Sequence, residues 1–261
     1  MRLDVALAVR GLVRSRSRAA AVIAEGLVTV DGKPVIRTSA RVGPGQALAV
    51  AGADRYVSRG AHKLLAALDA FGVPVAGRTA LDAGASTGGF SQVLLERGAG
   101  TVVALDVGHG QLSPVLAGEG RLRSFEGVNV RALTPERFAD LLGRPVRLGL
   151  VVADLSFISL TQVLPALRAV AEDDADFVLL VKPQFEVGRS GIREGVVRDA
   201  GLQEEALTGV LWSGHDVGLG VAGVIRSPIV GSRGNAEFLV RLTVRGTDPG
   251  QWRERVRDVV R

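Results

Sequence analysis

The sequence Leu-Asp-Ala-Gly-Ala-Ser-Thr-Gly-Gly-Phe at residues 81–90 decides the fold of most of this chain. An apolar strand is predicted to end at Asp82, and a glycine-rich turn then opens a helix. Small residues in such a turn let the backbone approach a nucleotide-like ligand closely. Asp106 lies 22 residues after Gly84, at the end of the next predicted strand. Carboxylates at this position in α/β folds accept hydrogen bonds from ribose hydroxyls.

The glycine spacing favours S-adenosylmethionine over a dinucleotide as the ligand. The turn lacks the G-x-G-x-x-G pattern that binds a pyrophosphate, which disfavours a nicotinamide-dependent oxidoreductase. An acidic residue precedes the turn, and this suits a cofactor with an amino-acid end and a nucleoside end. The predicted cofactor-binding residues are Asp82, Gly84, Ser86, Thr87, Gly88, Gly89, Phe90, Asp106, Asn129 and Asp154.

Strand and helix candidates alternate beyond residue 78, a rhythm typical of a parallel sheet with helices on both faces. Strands are predicted at 79–83, 101–106, 122–126, 148–153, 176–181, 217–226 and 236–244. Helices are predicted at 88–97, 110–117, 135–142, 159–171, 202–213 and 249–260. No helix separates the last two strands, so the final strand is predicted to be antiparallel. The sequence therefore predicts an α/β fold with a Rossmann-like, mostly parallel seven-stranded sheet.

The first 50 residues are predicted to form a separate small α+β domain. Helices are expected at 3–10 and from a cap at Ser15 to about residue 25. Short strands are expected at 27–30, 35–36 and 47–50, with a turn at Asp31-Gly32. The predicted domains are thus residues 1–50, a connector at 51–58, and a larger domain at 59–261.

The surplus of positive charge lies entirely in this first domain. Residues 1–50 carry eight basic and three acidic side chains, whereas basic and acidic residues balance in the remainder. Such asymmetry indicates that one small domain meets an anionic polymer such as RNA. The alternative is that a basic N-terminus serves only solubility. The predicted RNA-binding residues are Arg2, Arg14, Arg16, Arg18, Lys33 and Arg59.

Lysine is rare in this chain, which has 29 arginines and only Lys33, Lys63 and Lys182. Because lysine can lose its proton in a protein and arginine cannot, the retained lysines are candidates for chemistry. Asp154 and Lys182 each follow a predicted apolar strand. The carboxyl ends of such strands are where open α/β sheets bind ligands. An ordinary salt bridge between these two residues is the alternative.

The composition also excludes several classes of protein. No cysteine is present, which excludes a disulfide scaffold, a thiolate metal site and a cysteine nucleophile. Three scattered histidines make a histidine-rich metal site unexpected, so no metal is predicted. No run of about 18 apolar residues occurs, and charges interrupt the N-terminus where a signal peptide would be apolar. We therefore expect a cytoplasmic chain with no membrane partner. The sequence leaves the oligomeric state open, and a monomer is favoured.

The motifs together resemble a known family. The order Lys63, Asp154, Lys182 and Glu237 resembles the K-D-K-E tetrad of FtsJ-like ribose 2′-O-methyltransferases. Residues 2–32 resemble an S4 RNA-binding domain. The motifs Ser-Arg-Gly-Ala-His-Lys-Leu at 58–64, Asp-Leu-Ser-Phe-Ile-Ser at 154–159 and Lys-Pro-Gln-Phe-Glu at 182–186 resemble those of the TlyA family. Members of that family are rRNA cytidine 2′-O-methyltransferases, some of them labelled haemolysin A.

The resemblance implies a class I methyltransferase fold, S-adenosylmethionine as cofactor, and ribosomal RNA or ribosomal subunits as partner. It also implies that Lys63, Asp154, Lys182 and Glu237 are catalytic, with Lys182 acting either as a neutral base or as a cation that stabilises an alkoxide. The N-terminus is a few residues shorter than in members that modify both subunits, so 16S rRNA, 23S rRNA or both remain possible targets. A membrane-active haemolysin and a non-catalytic RNA-binding protein are the alternative functions.

Overall fold

The architecture comes from a computed structural model, which describes residues 1–13, 15–50, 56–188, 195–231 and 233–261. The chain divides into two compact units. The first unit comprises Met1–Arg59 and Ser113–Ala117, and the second comprises Gly60–Leu112 and Gly118–Arg261.

The first unit is a small α+β domain built on a three-stranded sheet. Its elements are α1 (Leu3–Val9), α2 (Arg16–Ala24), β1 (Val28–Val30), β2 (Lys33–Pro34) and β3 (Leu48–Val50). Strand β1 lies in the centre and pairs antiparallel with both neighbours. The Ser15 hydroxyl accepts a hydrogen bond from the Arg18 amide, which caps α2 as predicted. Apolar side chains of both helices, among them Leu7 and Ile23, form a separate core.

A two-residue turn sets the register of the first hairpin. Asp31 and Gly32 have φ values of 49° and 76°, the positive values that a type I′ turn requires. Because the turn is so short, the returning strand begins at once, and Val30 pairs with Lys33. The strand predicted at 35–36 is therefore wrong by two residues.

The second unit alternates strands and helices as predicted. Its helices are α3 (Gly60–Phe71), α4 (Gly89–Glu96), α5 (Pro135–Leu142), α6 (Leu160–Val170), α7 (Pro183–Glu186), α8 (Ala200–Asp216) and α9 (Arg253–Val260). Its strands are β4 (Thr79–Ala83), β5 (Thr101–Leu105), β6 (Leu122–Phe125), β7 (Leu148–Ala153), β8 (Ala171–Val181), β9 (Gly220–Arg226) and β10 (Phe238–Thr243).

These seven strands form one sheet in the order β6-β5-β4-β7-β8-β10-β9. Strands β4 to β8 run parallel to one another, and β10 is antiparallel to both β8 and β9. The predicted fold class and the antiparallel final strand are confirmed. Strand β7 is buried at all six residues, as expected for a central parallel strand covered on both faces. The carboxyl ends of β4, β5 and β7 meet at one edge.

Several elements of the second unit differ from the sequence prediction. Helix α3 is absent from the sequence prediction, although Ala61, Leu64 and Ala67 recur at helical spacing and are fully buried. The helix predicted at 110–117 is only a 3-10 turn, Pro114–Leu116, because Pro114 interrupts that stretch and Gly110 and Gly118 border it. The closing helix begins with the 3-10 turn Pro249–Trp252.

Candidate active site

The glycine-rich turn after β4 lies against the end of β7. A Cβ atom on Gly84 would lie 2.7 Å from the backbone oxygen of Asp154, and Gly84 has a φ of 84°. No larger residue fits that position without strain. The Asp154 amide in turn donates a hydrogen bond to the Ala83 oxygen. The predicted cofactor turn and the predicted catalytic aspartate are therefore in direct backbone contact.

Asp106 holds this turn in shape. Its carboxylate accepts hydrogen bonds from the backbone amides of Ser86, at 2.8 Å, and Gly108, at 2.7 Å. Ser86 has a φ of 47°, an unusual value for a residue other than glycine. Each carboxylate oxygen can accept more than one hydrogen bond, so Asp106 retains acceptor capacity for a ligand hydroxyl.

Asp82 is fully buried and does not face the turn's surface. Its Oδ2 accepts a hydrogen bond from the Ser91 hydroxyl at 2.7 Å, and its Oδ1 has no partner among the described residues. Burial away from water raises the pKa of Asp82 to about 7, and the carboxylates of Asp154 and Asp106 act in the same direction. The Ser91 hydrogen bonds oppose this rise.

The other predicted cofactor residues are divided between the turn and its surroundings. Gly88 precedes α4 with a φ of 91°, and Gly89 and Phe90 are buried in the first turn of that helix. Thr87 is half-buried within the turn. Asn129 lies after β6, is exposed, and accepts a hydrogen bond from the Arg131 amide. The turn, Asp106 and Asp154 thus share one sheet edge, whereas Phe90 contributes to packing.

Lys182 and Asp154 form an ion pair across neighbouring strand ends. Lys182 follows β8, and its Nζ lies 2.5 Å from Asp154 Oδ1. It also donates a hydrogen bond to the Ser156 hydroxyl at 2.9 Å. The Lys182 side chain is only 11% exposed, so little water can solvate its ammonium charge. The Asp154 carboxylate compensates that charge instead.

Lys63 and Glu237 form the second pair. The Lys63 Nζ, on helix α3, lies 2.5 Å from Glu237 Oε2, and both side chains are buried. Glu237 directly precedes β10, which begins at Phe238, two residues later than the strand predicted at 236–244. The first residue of β10, Phe238, pairs with Val181. Extending this antiparallel register by one residue places Glu237 opposite Lys182. The four tetrad residues therefore meet as two lysine–carboxylate pairs.

A cavity of about 340 Å³, which we call the lysine cavity, opens beside these pairs. Its volume is at the lower end of those that bind a small ligand, about 300–1,000 Å³. The lining residues are Ser156, Phe157, Lys182, Gln184, Phe185, Gly195, Arg233, Asn235 and Glu237.

Two features around the lysine cavity were not singled out from the sequence. Phe157 is 92% exposed with a φ of 66°, and its ring lies 5.3 Å from that of Phe185. Glu186 accepts hydrogen bonds from the Ser159 hydroxyl, at 2.5 Å, and from the Leu160 amide, at 3.0 Å. Burial raises the pKa of Glu186. This carboxylate ties the segment after β8 to the segment after β7, and its place in the 182–186 motif was the available signal.

The predicted RNA-binding residues of the first unit are partly engaged within that unit. Arg2 and Arg16 both contact Asp4, at 3.0 Å each, and the hydrogen bond from Arg2 is the largest cause that lowers the pKa of Asp4 to about 2. Arg18 lies 3.7 Å from Glu25. Lys33 and Arg59 are exposed, and Arg14 lies outside the described residues.

No group of three histidine, aspartate or glutamate side chains in the described ranges is arranged to hold a metal ion, and the absence of a metal stays a prediction. Within the same ranges, no helix is both long and apolar enough to cross a bilayer.

Comparison with protein families assigns both units. Residues 56–244 match the model for FtsJ-like methyltransferases, and residues 1–48 match that for the S4 domain. The protein is therefore of the class in which an S4 domain precedes an FtsJ-like methyltransferase domain.

Relatives narrow the assignment. The chain is 49% identical to the 16S/23S rRNA (cytidine-2′-O)-methyltransferase TlyA of Mycobacterium tuberculosis, covering 92% of this chain and 89% of that protein. The chain belongs to the TlyA family. It is also 36% identical to hemolysin A of Brachyspira hyodysenteriae, over 94% of this chain and all of that protein. A solved structure described as a hemolysin, from Streptococcus thermophilus, has 37% identity and a TM-score of 0.74, covering this whole chain and 94% of that one. The resemblance read from the sequence is confirmed.

Proposed function

We propose that this chain transfers a methyl group from S-adenosylmethionine to the ribose 2′-hydroxyl of a cytidine in 16S rRNA, 23S rRNA or both. The observation that carries this proposal is the meeting of Lys63, Asp154, Lys182 and Glu237 as two pairs beside one cavity. The M. tuberculosis relative named for this reaction supports the choice of substrate. Because ribosomal subunits are in the cytoplasm, we place the activity there, with the chain acting as a monomer.

The cofactor would be held at the edge formed by β4, β5 and β7. Gly84 lets the turn pack closely against the end of β7, and Asp106 retains acceptor capacity for ribose hydroxyls. Ser86, Thr87, Gly88 and Gly89 would border its methionine end, with Asn129 near the nucleoside end. The buried Asp82 and Phe90, together with the half-buried Gly84, would shape this turn. When bound, S-adenosylmethionine supplies an electrophilic methyl group.

The ion pair favours a cationic role for Lys182. An ammonium group has three N–H donors. The Ser156 hydroxyl accepts one of them, and Asp154 Oδ1 lies 2.5 Å from Nζ as an ion-pair partner. An N–H group not directed at Ser156 can hydrogen-bond the 2′-oxygen and stabilise negative charge as the hydroxyl proton leaves. Asp154 would hold the ammonium in place, and the Lys63–Glu237 pair would fix the opposite wall.

The aromatic side chains suggest how the target nucleotide is held. A phenylalanine that is 92% exposed beside a polar site has an unfilled face, and nucleobases stack readily on such rings. A base in a duplex cannot reach a cavity of this size, so the nucleotide would have to leave its stack. We therefore propose that Phe157, next to Phe185, supports the base of an extruded nucleotide.

The test is transfer of a labelled methyl group to 30S and 50S subunits from a strain that lacks the gene for this chain. Primer extension at low nucleotide concentration then locates the product. We expect a stop at a cytidine 2′-O-methyl group and none with the Lys182→Ala variant. Cofactor binding without any transfer would support the non-catalytic alternative instead. Leakage from liposomes would support the membrane-active one.

A further inference from the structure

The lysine cavity contains one positive charge that no carboxylate of the described residues matches. Lys182 is paired with Asp154, and Glu237 is paired with Lys63. Arg233 also lines the cavity, at its exposed rim, and none of its contacts within the described ranges is an ion pair. The pairs cancel, so the cavity carries a net positive charge through this guanidinium.

The loop that carries Arg233 is fixed by a buried asparagine. Asn235 is 3% exposed, and its amide donates to the Gly195 oxygen at 2.9 Å. Its side-chain oxygen accepts from the Val197 amide at 3.0 Å, and the Gly231 amide donates to its backbone oxygen at 2.9 Å. The two side-chain bonds span about 40 residues of chain, so Asn235 attaches its own segment to the one that precedes α8.

The Arg233 guanidinium packs against the backbone of Gly195. A Cβ atom at this position would lie 2.6 Å from Arg233 Nη1, and the φ of Gly195 is 79°. The guanidinium therefore rests directly on the glycine backbone. A side chain placed in this way loses less freedom when it binds a ligand.

The chemistry of the acceptor indicates what this guanidinium meets. In RNA the 2′-carbon, which carries the hydroxyl, is bonded to the 3′-carbon, whose oxygen belongs to a phosphodiester. A nucleotide that presents its 2′-oxygen to Lys182 therefore brings one negative charge into the same cavity. The guanidinium is planar and matches two phosphate oxygens at once, which a paired lysine cannot do.

We propose that Arg233 forms a phosphate subsite, which binds the phosphodiester on the 3′ side of the target nucleotide while Lys182 faces its 2′-oxygen. This inference rests on the proposed function and deepens it. Arg233 thereby sets the distance between the acceptor oxygen and the ammonium group of Lys182.

The experiment measures KM for ribosomal subunits, at several salt concentrations, with the wild type and with variants of Arg233 and Arg245. Arg233→Ala should raise KM about tenfold or more and reduce the slope of log KM against log salt by about one. The dissociation constant of S-adenosylmethionine, measured by direct titration, should not change. Arg233→Lys should preserve the salt slope and raise KM less, because it keeps the charge and loses the planar fork.

Arg245→Ala is the matched control. Arg245 is an exposed arginine just beyond the far end of β10, so its removal deletes the same charge away from the lysine cavity. Wild-type KM and salt slope in Arg233→Ala would overturn the proposal. If that variant also binds cofactor weakly, Arg233→Gln decides by the same criterion. Absence of transfer by the wild type would contradict the proposed function instead.

Discussion

A lysine at a buried strand end is costly unless its charge is matched, and both lysines of this site satisfy that condition. Each contacts one carboxylate at 2.5 Å. The arrangement explains why arginine, used almost everywhere else in the chain, does not occur here. The space between Asp154 and Ser156 holds a compact ammonium group, whereas a guanidinium is larger and planar.

We therefore predict that Lys182→Arg and Lys182→Ala both lose methyl transfer while cofactor and rRNA still bind. The expected fall in single-turnover rate is about 10²–10⁴-fold, the range for loss of a proton-transfer or charge-stabilising group. Circular dichroism checks that the variants are folded. Near-normal transfer by a folded Lys182→Arg protein would reduce this lysine to a structural partner of Asp154.

The buried Asp82 predicts a pH dependence of stability. Its pKa rises from an ordinary 3.8 to about 7 on folding, chiefly through burial. Between these values the unfolded chain is ionised at this site and the folded chain is protonated, so stability should fall as pH rises from about 4 to about 7. The penalty above pH 7 is on the order of a few kcal/mol.

Asp82→Asn tests this prediction, because asparagine cannot ionise and has nearly the same shape. The Tm of the variant relative to the wild type should increase between pH 5 and pH 8. A difference in Tm that stays constant over this range would contradict the raised pKa of Asp82.

At the scale of elements, the site depends on segments that follow different strands. The segments after β7 and β8 carry Asp154 and Lys182, and Glu186 joins them through Ser159 and Leu160. Glu186 is a positioning residue because its bonds reach the start of α6 and not the lysine cavity. Its raised pKa reflects a carboxylate that is largely enclosed.

Glu186→Ala should lower kcat for methyl transfer by about 10²-fold, since a displacement of about 1 Å at a reactive site has that effect. The dissociation constant of S-adenosylmethionine should change little, because the glycine-rich turn lies elsewhere. Glu186→Gln should restore part of the rate, since its amide oxygen can still accept one of the two hydrogen bonds. Glu254→Gln, an exposed position on α9, serves as the control. Equal kcat in Glu186→Ala and the wild type would remove the positioning role.

At the scale of the whole molecule, the first unit has its own apolar core and carries the surplus positive charge. The Asp4 carboxylate accepts hydrogen bonds from Arg2 and Arg16. The side chains of these two arginines nevertheless remain 48% and 64% exposed. Those guanidiniums can still meet phosphates, with Asp4 holding their orientation.

Deletion of residues 1–50 is therefore expected to abolish binding to ribosomal subunits and leave cofactor binding intact. The double variant Arg18→Ala, Lys33→Ala keeps the domain and should weaken subunit binding, with a smaller dependence on salt. Filter binding of subunits and titration of cofactor provide the two measurements. Unchanged subunit affinity in the deleted protein would contradict an RNA-binding role for this unit.

The sequence by itself determined the alternation of strands and helices, the order of the motifs and the family. These properties depend on local periodicity, turn chemistry and residue spacing, as the correct bounds of β4, β7 and α5 illustrate. It also indicated that Asp154 and Lys182 would converge, because both follow apolar strands.

Only the tertiary structure decided which charged side chains form pairs in the site. Lys63 and Glu237 are 174 residues apart, and they pair because α3 packs near β10 and β10 lies beside β8. The same holds for Arg233 on Gly195 and for Glu186 at the start of α6. These contacts depend on strand order and on close packing, since a side chain's partner is decided by which elements become neighbours when the sheet forms. No local pattern along the chain specifies that strand order or that packing.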